Sequence, residues 1–258
     1  MSKLTPEDVV LRYSKRGMNI LKKYLRDGYC RTAAEKLLHA ERGTVLLTTG
    51  FYVAGYAETD GPLGTVAVAE ALNQLRFHSV VVTDKYCKGF FELKQLDVEY
   101  VDIAADEQVY EDILDKYNPV YMISIERCGE NAEHEYANMR GVSITSETAA
   151  IDHLFELAPE KHIPTIGVGD GGNEIGMGNV KDIISEKLEL NPCVVPVDDL
   201  IIATTSNWGA YALTAWLQKL SGEEVLFTYE EAEPYLAATL EIGSVDGVLK
   251  EKKMGVDG

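Results

Sequence analysis

The stretch IPTIGVGDGGNEIGMG at residues 163–178 joins an apolar run to a glycine-rich loop that carries two carboxylates. The apolar run has the length and composition of a buried strand, and the glycines indicate a turn after it. Glycine is needed where the main chain bends tightly or approaches another group closely. The stretch therefore predicts a strand whose carboxyl end presents acidic side chains, which is where open α/β sheets bind their ligands.

Apolar, β-rich runs alternate with helical patterns along the rest of the chain. This alternation is typical of a parallel sheet, because parallel strands need a long crossover between them. We therefore predict a mostly parallel, doubly wound α/β fold, a three-layer sandwich with its site at the strand carboxyl ends. The predicted strands are 44–48, 80–83, 98–103, 120–125, 163–168 and 200–204. The predicted helices are 66–75, 109–117, 149–157, 180–190 and 210–220.

The chain shows no repeat, low-complexity segment or linker that would divide it, which predicts a single domain over residues 1–258. Ahead of the first strand, apolar and small residues recur at helical spacing at about 7–27. They predict an amphipathic helix that packs on the flank of the domain or against a partner, so it is the candidate contact of a homo-oligomer.

The balance of charge excludes several classes of partner. The chain has 24 Lys and Arg against 42 Asp and Glu, and its net charge of -18 repels nucleic acid and anionic membranes. No apolar run reaches the ~20 residues of a membrane span, and the first residues lack the apolar core of a signal peptide. We expect a cytoplasmic protein with a cationic ligand or a bound metal, and no nucleic acid or membrane partner.

The cysteines give no sign of zinc or redox chemistry. Cys30, Cys87, Cys128 and Cys193 lie far apart, with no C-x-x-C pair. Because free cysteine is among the most buried residue types, we predict that all of them are buried thiols.

Polar clusters follow most of the predicted strands at the point where each strand ends. The carboxyl ends of parallel strands meet at one edge of a sheet, so clusters that share this edge predict a ligand site. The clusters are Thr48-Thr49-Gly50 with Glu58 and Asp60 after the first strand, Asp84 after the second, Glu126-Arg127 after the fourth, Asp170 to Glu174 after the fifth, and Ser206-Asn207 after the sixth.

The glycine-rich loop is compatible with three kinds of chemistry, of which the first is dinucleotide binding. Residues 167–172 match the spacing G-x-G-x-x-G. That fingerprint belongs after the first strand of a fold, and Asp170 would face a pyrophosphate with like charge. We therefore expect no nucleotide cofactor.

A divalent metal is the second possibility. Asp170 and Glu174, with Glu58 and Asp60 from a neighbouring strand end, are the candidate metal ligands. Oxygen donors of this kind suit Mg²⁺ or Mn²⁺. The structural alternative is that Asp170 and Glu174 only cap the helix that follows.

An anion cradle is the third possibility, and it is compatible with a metal. Successive N–H groups, including those of Gly171 and Gly172, form a nest for a carboxylate or another anion when no Cβ blocks the approach. Asn207 has a similar choice of roles, because asparagine is a common N-cap of helices such as the one predicted at 210–220.

Six motifs together resemble the D-glutamate cyclase family. They occur in order over most of the chain, and the pair DGGNE-I-GMG and SNWG-AYAL is far more specific than a glycine pattern alone. The motifs are TTGF at 48–51, ETDGPLG at 58–64, IERCGENAEHEYANMRG at 125–141, GVGDGGNEIGMGNVKD at 167–182, SNWGAYAL at 206–213 and GSVDGV at 243–248. The resemblance implies a lyase that converts a small amino-acid substrate, D-glutamate, into 5-oxo-D-proline and water.

This reaction needs a neutral amine, an electrophilic γ-carboxylate and a leaving water, and the strand-end residues offer a group for each. Lys85 or Arg127, if either points inward, is a candidate to neutralise the γ-carboxylate in place of a metal. The predicted catalytic residues are Glu126, Asp170, Asn173 and Glu174. The predicted substrate-binding residues are Thr48, Thr49, Gly50, Arg127, Gly171, Gly172, Ser206 and Asn207.

The loop after the fourth strand departs from the family pattern. Family members have Gly-Arg and Asp-Gly-x-Tyr where this chain has Gly129-Glu130 and the residues 133–136. The absent arginine predicts a missing contact to a substrate carboxylate. Two alternatives therefore stay open, a metal-dependent phosphoesterase or other hydrolase built on the acidic cluster, and a non-enzymatic binding protein for a small molecule or cation.

Overall fold

Six parallel strands form the centre of the protein in a computed structural model that describes residues 4–247. The strands in chain order are β1 (Thr44–Thr49), β2 (Tyr52–Val53), β3 (Tyr56–Ala57), β4 (His78–Asp84), β5 (Asp97–Val101), β6 (Tyr121–Ile125), β7 (Thr165–Gly169) and β8 (Asp199–Ile202). The sheet has the order β5-β4-β1-β6-β7-β8, while β2 and β3 pair as a separate antiparallel ribbon. The predicted fold class and all six predicted strands are confirmed.

Helices cover the sheet. In chain order they are α1 (Pro6–Val10), α2 (Met18–Leu21), α3 (Tyr29–His39), α4 (Pro62–Gln74), α5 (Gln108–Tyr117), α6 (His153–Leu157), α7 (Lys181–Leu188), α8 (Ser206–Ser221) and α9 (Tyr229–Ile242). The helices α3 and α4 both pack against α8, and α5 packs against α6. The chain leaves β1 towards β4 but crosses from β5 to β6 in the other direction, so right-handed crossovers place α4 and α5 on opposite faces.

The middle of the sheet is fully enclosed. Every residue of β6 and β7 is buried, and so are the last five residues of β1. Strands covered on both faces are apolar throughout rather than alternating, which is why short continuous runs in the sequence predicted them. All four cysteines are buried free thiols, as predicted.

The prediction of one amphipathic helix at about 7–27 was wrong. The segment contains α1, α2 and a 3-10 turn, and the backbone between α1 and α2 has positive φ at Tyr13 (65°) and Gly17 (85°), which ends helical pairing. Thr204, after β8, holds this break in place because its N–H donates to Val10 O at 2.8 Å and its hydroxyl to Arg12 O at 2.7 Å. The break therefore lies at the carboxyl edge of the sheet.

Within residues 4–247 no helix has the length and apolar composition that a bilayer crossing requires. The cytoplasmic location, the single domain and the homo-oligomer contact stay predictions. The last residue of the motif at 243–248 lies outside the described residues.

Candidate active site

The strand order places a crevice between β1 and β6. From β1 the chain adds strands towards one edge of the sheet, and from β6 it adds them towards the other edge. Open α/β sheets bind ligands beyond the strand carboxyl ends at such a switch point. Glu126 is the first residue after β6 and has a φ of 51°, an uncommon conformation for a side chain other than glycine. Its side chain is buried. Strained backbone of this kind is concentrated at functional sites.

Three carboxyl groups meet at this crevice, and we call Asp60, Glu126 and Asp170 the carboxylate cluster. One oxygen of each lies within 4.8 Å of an oxygen of the other two. Glu126 and Asp170 are buried, and Asp60 is half-buried. The structure thus brings together one residue predicted as catalytic, one as a metal ligand and one as both.

Asp60 is held by the first turn of α8. Its carboxylate accepts hydrogen bonds from the N–H groups of Ser206 at 3.0 Å, Asn207 at 2.7 Å and Gly61 at 3.1 Å. The N-terminal end of a helix carries partial positive charge and stabilises a carboxylate there. The Ser206 hydroxyl donates to Glu126, so the same turn also orients a second member of the cluster.

Asn207 is a structural residue rather than a substrate ligand, which corrects the predicted role. Its Oδ1 accepts from the N–H groups of Gly61 at 3.0 Å and Gly64 at 2.7 Å, and its Nδ2 donates to Thr59 O at 3.1 Å. The amide therefore caps α4 from a distance in sequence. The N-cap of α8 itself is Thr205, whose hydroxyl accepts from a backbone N–H in the first turn.

The glycine-rich loop does form an anion cradle, but the protein's own Glu174 fills it. One oxygen of Glu174 accepts from the N–H of Gly171 at 2.7 Å and the other from the N–H of Gly172 at 2.8 Å. This corrects the prediction that the cradle binds a ligand, because a side chain of the protein already accepts hydrogen bonds from the N–H groups of the loop. Glycine is needed at position 171 because a Cβ there would lie 2.8 Å from Glu174 Oε1.

Asn173 lies between the cradle and the neighbouring loop. Its Nδ2 donates to Ala137 O at 2.7 Å, and the side chain is buried. This hydrogen bond fixes the position of the loop that follows β6. Asn173 therefore has a positioning role, in addition to the catalytic role predicted for it.

Arg127 and Lys85, the two cations predicted to face the substrate, do not do so. Arg127 is fully buried and donates to Asp84 Oδ2 at 2.6 Å, Gly50 O at 2.9 Å and Ala149 O at 2.6 Å. Lys85 is exposed, with its Nζ 5.0 Å from the centre of the Tyr86 ring. Arg127 and Gly50 were predicted to bind substrate. The structure shows instead that they connect neighbouring segments of the protein.

Thr48 and Thr49 complete the predicted set at the end of β1. Both are buried, and within residues 4–247 neither hydroxyl has a hydrogen-bond partner. A Cβ on Gly61 would lie 2.7 Å from the Thr49 hydroxyl and 2.8 Å from Cβ of Glu126, so this threonine adjoins the carboxylate cluster. Thr49 therefore stays a candidate for substrate contact.

Arg16 is the site residue that the sequence analysis missed. Its Nη1 donates to Asp170 Oδ1 at 2.5 Å, and 34% of its side chain is exposed. The break between α1 and α2 brings it to the cluster from a position 154 residues earlier in the chain. The only signal in the sequence was the group of cations just before Gly17 in a very acidic chain, and the predicted continuous helix concealed it.

A cavity of about 480 Å³ opens beside these residues. It is lined by Arg16, Glu58, Glu126, Asn173 and the exposed Arg140, together with apolar residues of the loops after β1 and β6. Glu130, which stands where the family has an arginine, is not among the lining residues. It contacts His134 at 3.1 Å instead, so the predicted loss of a substrate contact there has no counterpart at this cavity.

Burial changes the acidity of the cluster. Burial first, and then repulsion from Asp60, raises the pKa of Asp170 well above its usual range, although Arg16 opposes the shift. Burial and the neighbouring Asp170 raise the pKa of Glu126 in the same way. Burial and Asp60 raise the pKa of Glu58 to about 8. Adjacent negative charges repel one another, so these carboxyl groups bind protons more tightly than isolated carboxyl groups do.

A strained turn at a switch point, buried carboxyl groups with raised pKa values and a cavity define an enzyme-type site on a doubly wound α/β fold. A family model described as D-glutamate cyclase-like, C-terminal, matches residues 7–258. A curated relative, D-glutamate cyclase, mitochondrial, from Homo sapiens, is 34% identical over an alignment of 212 residues, and the match covers 72% of this chain and 34% of the relative. The chain belongs to the D-glutamate cyclase-like family and spans about a third of the length of that relative.

Two of the solved structures that match the chain do so weakly. A UDP-glucose 4-epimerase from Brucella ovis in complex with NAD is 18% identical, with a TM-score of 0.33 over 49% of this chain and 35% of that chain. A Thermoplasma acidophilum aldohexose dehydrogenase in ligand-free form is 11% identical, with a TM-score of 0.33 over 77% of this chain and 78% of that chain. Similarities at this level carry no inference about function.

Proposed function

We propose that this protein is a lyase that cyclises D-glutamate to 5-oxo-D-proline and water. The observation that carries the proposal is the juxtaposition of the buried Asp170 with Glu126 and the Arg16 guanidinium, which both line one cavity. Membership of the family and the identity to a D-glutamate cyclase support the same substrate. D-Glutamate carries one cationic and two anionic groups, and the site offers both signs of charge.

The reaction moves two protons from nitrogen to oxygen. The substrate ammonium loses one proton before its nitrogen attacks Cδ of the γ-carboxylate, and it loses a second after the C–N bond has formed. The C–O bond then breaks, and the departing oxygen takes both protons and leaves as water. A site that holds an acid next to a base therefore meets the need of both stages.

Asp170 is the base and Glu126 the acid in this proposal. Asp170 Oδ2 is buried without a hydrogen-bond partner among residues 4–247, which leaves it free to accept the ammonium proton. Burial favours the protonated form of both groups, but Arg16 contacts Asp170 and opposes the shift there, so Asp170 is the group assigned the ionised form. The Ser206 hydroxyl fixes the orientation of Glu126.

Simple positioning supplies a further part of the rate. The amine and the γ-carboxylate belong to one molecule, so the site need only hold the substrate in its folded, reactive conformation. The buried Thr49 hydroxyl, at the end of β1, is the neutral group placed to hold an oxygen of the substrate.

A divalent metal fits the same donors. Asp60, Glu126 and Asp170 each offer an oxygen within a sphere that suits one ion, Glu58 lines the adjoining cavity, and the free Asp170 Oδ2 is a buried acceptor in need of a cation. Hard oxygen donors favour Mg²⁺ or Mn²⁺. Such an ion, when bound, supplies Lewis-acid polarisation of a carboxylate oxygen. Glu174 leaves the predicted ligand set and Glu126 joins it.

The test is proton NMR of the purified protein with D-glutamate or L-glutamate, with EDTA or with added Mn²⁺. We expect 5-oxoproline from the D isomer only, and a loss of rate in EDTA that Mn²⁺ restores if the metal is required. The absence of product from both isomers overturns the proposal. In that case, hydrolysis of p-nitrophenyl phosphate with Mn²⁺ supports the hydrolase alternative, and binding of glutamate without turnover supports the binding protein.

A further inference from the structure

The Arg16 guanidinium is only partly used by the protein. One N–H donates to Asp170, and within residues 4–247 its other N–H groups have no hydrogen-bond partner. A third of the side chain is exposed, and it lines the same cavity as Glu126. Arginine presents five donors in a planar fork that matches a carboxylate. The free donors are therefore available to an anion in the cavity.

The reacting carboxylate of the substrate has an electrostatic problem at this cluster. It must lie beside Glu126 and Asp170, because the leaving oxygen receives its protons there, yet carboxylates repel one another at such distances. A cation must stand between them. Arg127 and Lys85 are committed elsewhere, since Arg127 pairs with Asp84 and Lys85 is exposed over Tyr86. Arg140 also lines the cavity, but it lies on the exposed loop after β6, whereas Arg16 contacts the cluster itself.

We infer that Arg16 binds the γ-carboxylate of the substrate through the donors that Asp170 leaves free. This inference rests on the proposed cyclase function. As the C–N bond forms, both γ oxygens carry negative charge, and the guanidinium stabilises that tetrahedral dianion. When the C–O bond breaks and water leaves, the remaining lactam oxygen is neutral. The product thus loses its charge contact with Arg16, whereas its α-carboxylate persists and is held elsewhere.

The α-carboxylate has its own candidate partner in Arg140. This residue lies on the loop after β6, lines the cavity and is exposed. If Arg16 binds the γ-carboxylate and Arg140 binds the α-carboxylate, loss of Arg16 should affect the affinity for substrate and for product differently. Substrate binding depends on Arg16, and binding of 5-oxo-D-proline does not.

The experiment compares Arg16→Gln and Arg16→Lys with Lys15→Gln, a control that removes one positive charge from the adjacent, exposed position. For Arg16→Gln we expect kcat/KM for D-glutamate to fall about 100-fold or more, as for other lost oxyanion donors. Arg16→Lys restores part of the rate because it keeps the charge and loses the fork. Lys15→Gln stays within about twofold of wild type, as expected for a surface change.

Inhibition by 5-oxo-D-proline separates this role from others. We expect its inhibition constant to change less than about twofold in Arg16→Gln. A parallel loss of substrate and product affinity overturns the inference, because it indicates an α-carboxylate contact or a merely structural role. Equal kcat/KM values in Arg16→Gln and Lys15→Gln overturn it as well.

Calorimetry with glutarate, a dicarboxylate without an amine, tests Arg16 without turnover. Wild type should bind glutarate, and Arg16→Gln should bind it at least about tenfold more weakly, a loss of about 1.4 kcal/mol. If wild type forms no 5-oxoproline, the proposed function fails, and the glutarate result then shows separately whether Arg16 is a carboxylate ligand. Equal glutarate affinities in the two proteins overturn the inference even if D-glutamate is cyclised.

Discussion

Arg16 and Arg127 lie at the same edge of the sheet and have different tasks. Arg127 is fully buried, and its guanidinium joins Asp84 at the end of β4, Gly50 after β1 and Ala149 in the loop before α6. Arg16 is one-third exposed and has one carboxylate partner among the described residues. Residue type and position near a strand end do not separate the two. The number of donors left free, and access to a cavity, are what mark a guanidinium for a ligand.

Two carboxylates four residues apart in the glycine-rich loop show the same contrast. Both oxygens of Glu174 accept backbone N–H groups, so its charge is used to shape the loop. Asp170 has one oxygen on Arg16 and the other without a partner. We therefore expect changes at Asp170 to reduce turnover and changes at Glu174 to reduce stability.

The largest effect should come from Asp170→Asn. An amide cannot accept the ammonium proton, so we expect turnover of D-glutamate to fall about 100-fold to 10,000-fold, the usual contribution of general acid–base catalysis. NMR detection of 5-oxoproline measures the rate, and circular dichroism checks the fold. Asp182→Asn, on the exposed first turn of α7, is the matched control. Equal rates in the two variants would remove Asp170 from the chemistry.

Arg127→Met should have the largest effect on stability. It leaves the Asp84 carboxylate buried without its partner, and removal of one member of a buried ion pair costs about 3–5 kcal/mol. Urea unfolding measures the loss. The double variant with Asp84→Asn should recover part of it, because no uncompensated charge remains. A free energy of unfolding equal to that of wild type would contradict the structural role.

Glu174→Gln should have an intermediate effect. Its amide nitrogen cannot accept a hydrogen bond, so the N–H of either Gly171 or Gly172 loses its acceptor, and a hydrogen bond to a charged group contributes about 1.5–3 kcal/mol. We expect a stability loss of that size and a smaller loss of turnover than for Asp170→Asn. If Glu174→Gln is as stable as wild type and as inactive as Asp170→Asn, the proposed difference in role between Asp170 and Glu174 is contradicted.

A further prediction concerns the pH dependence of stability due to Glu58. Burial and Asp60 raise its pKa from 4.5 to about 8 in the folded chain. The folded protein keeps a proton that the unfolded chain releases, so the free energy of unfolding falls as pH rises through this window. Urea unfolding at about pH 5 and about pH 8 should show a smaller fall in Glu58→Gln. The exposed Glu41→Gln should behave as wild type does.

The sheet was predictable because its central strands are enclosed on both faces and their sequence is apolar throughout. The first helix was not, since helical spacing of apolar residues says nothing about a positive φ at Tyr13. The acidic edge was predictable for a topological reason, namely that parallel strands end together. The partners of each side chain at that edge were beyond reach, as the remote cap formed by Asn207 shows.

The order of residues along short segments is enough to predict the strand pattern, the acidic edge and the family. The folded protein was needed to show that Glu174 occupies the glycine cradle, that Arg127 is enclosed and that Arg16 contacts Asp170. These contacts join segments that are folded together by the sheet and by the break after α1. The number of donors or acceptors that a buried charged group keeps unpaired depends on all its neighbours in space, and the local sequence identifies only a few of those neighbours.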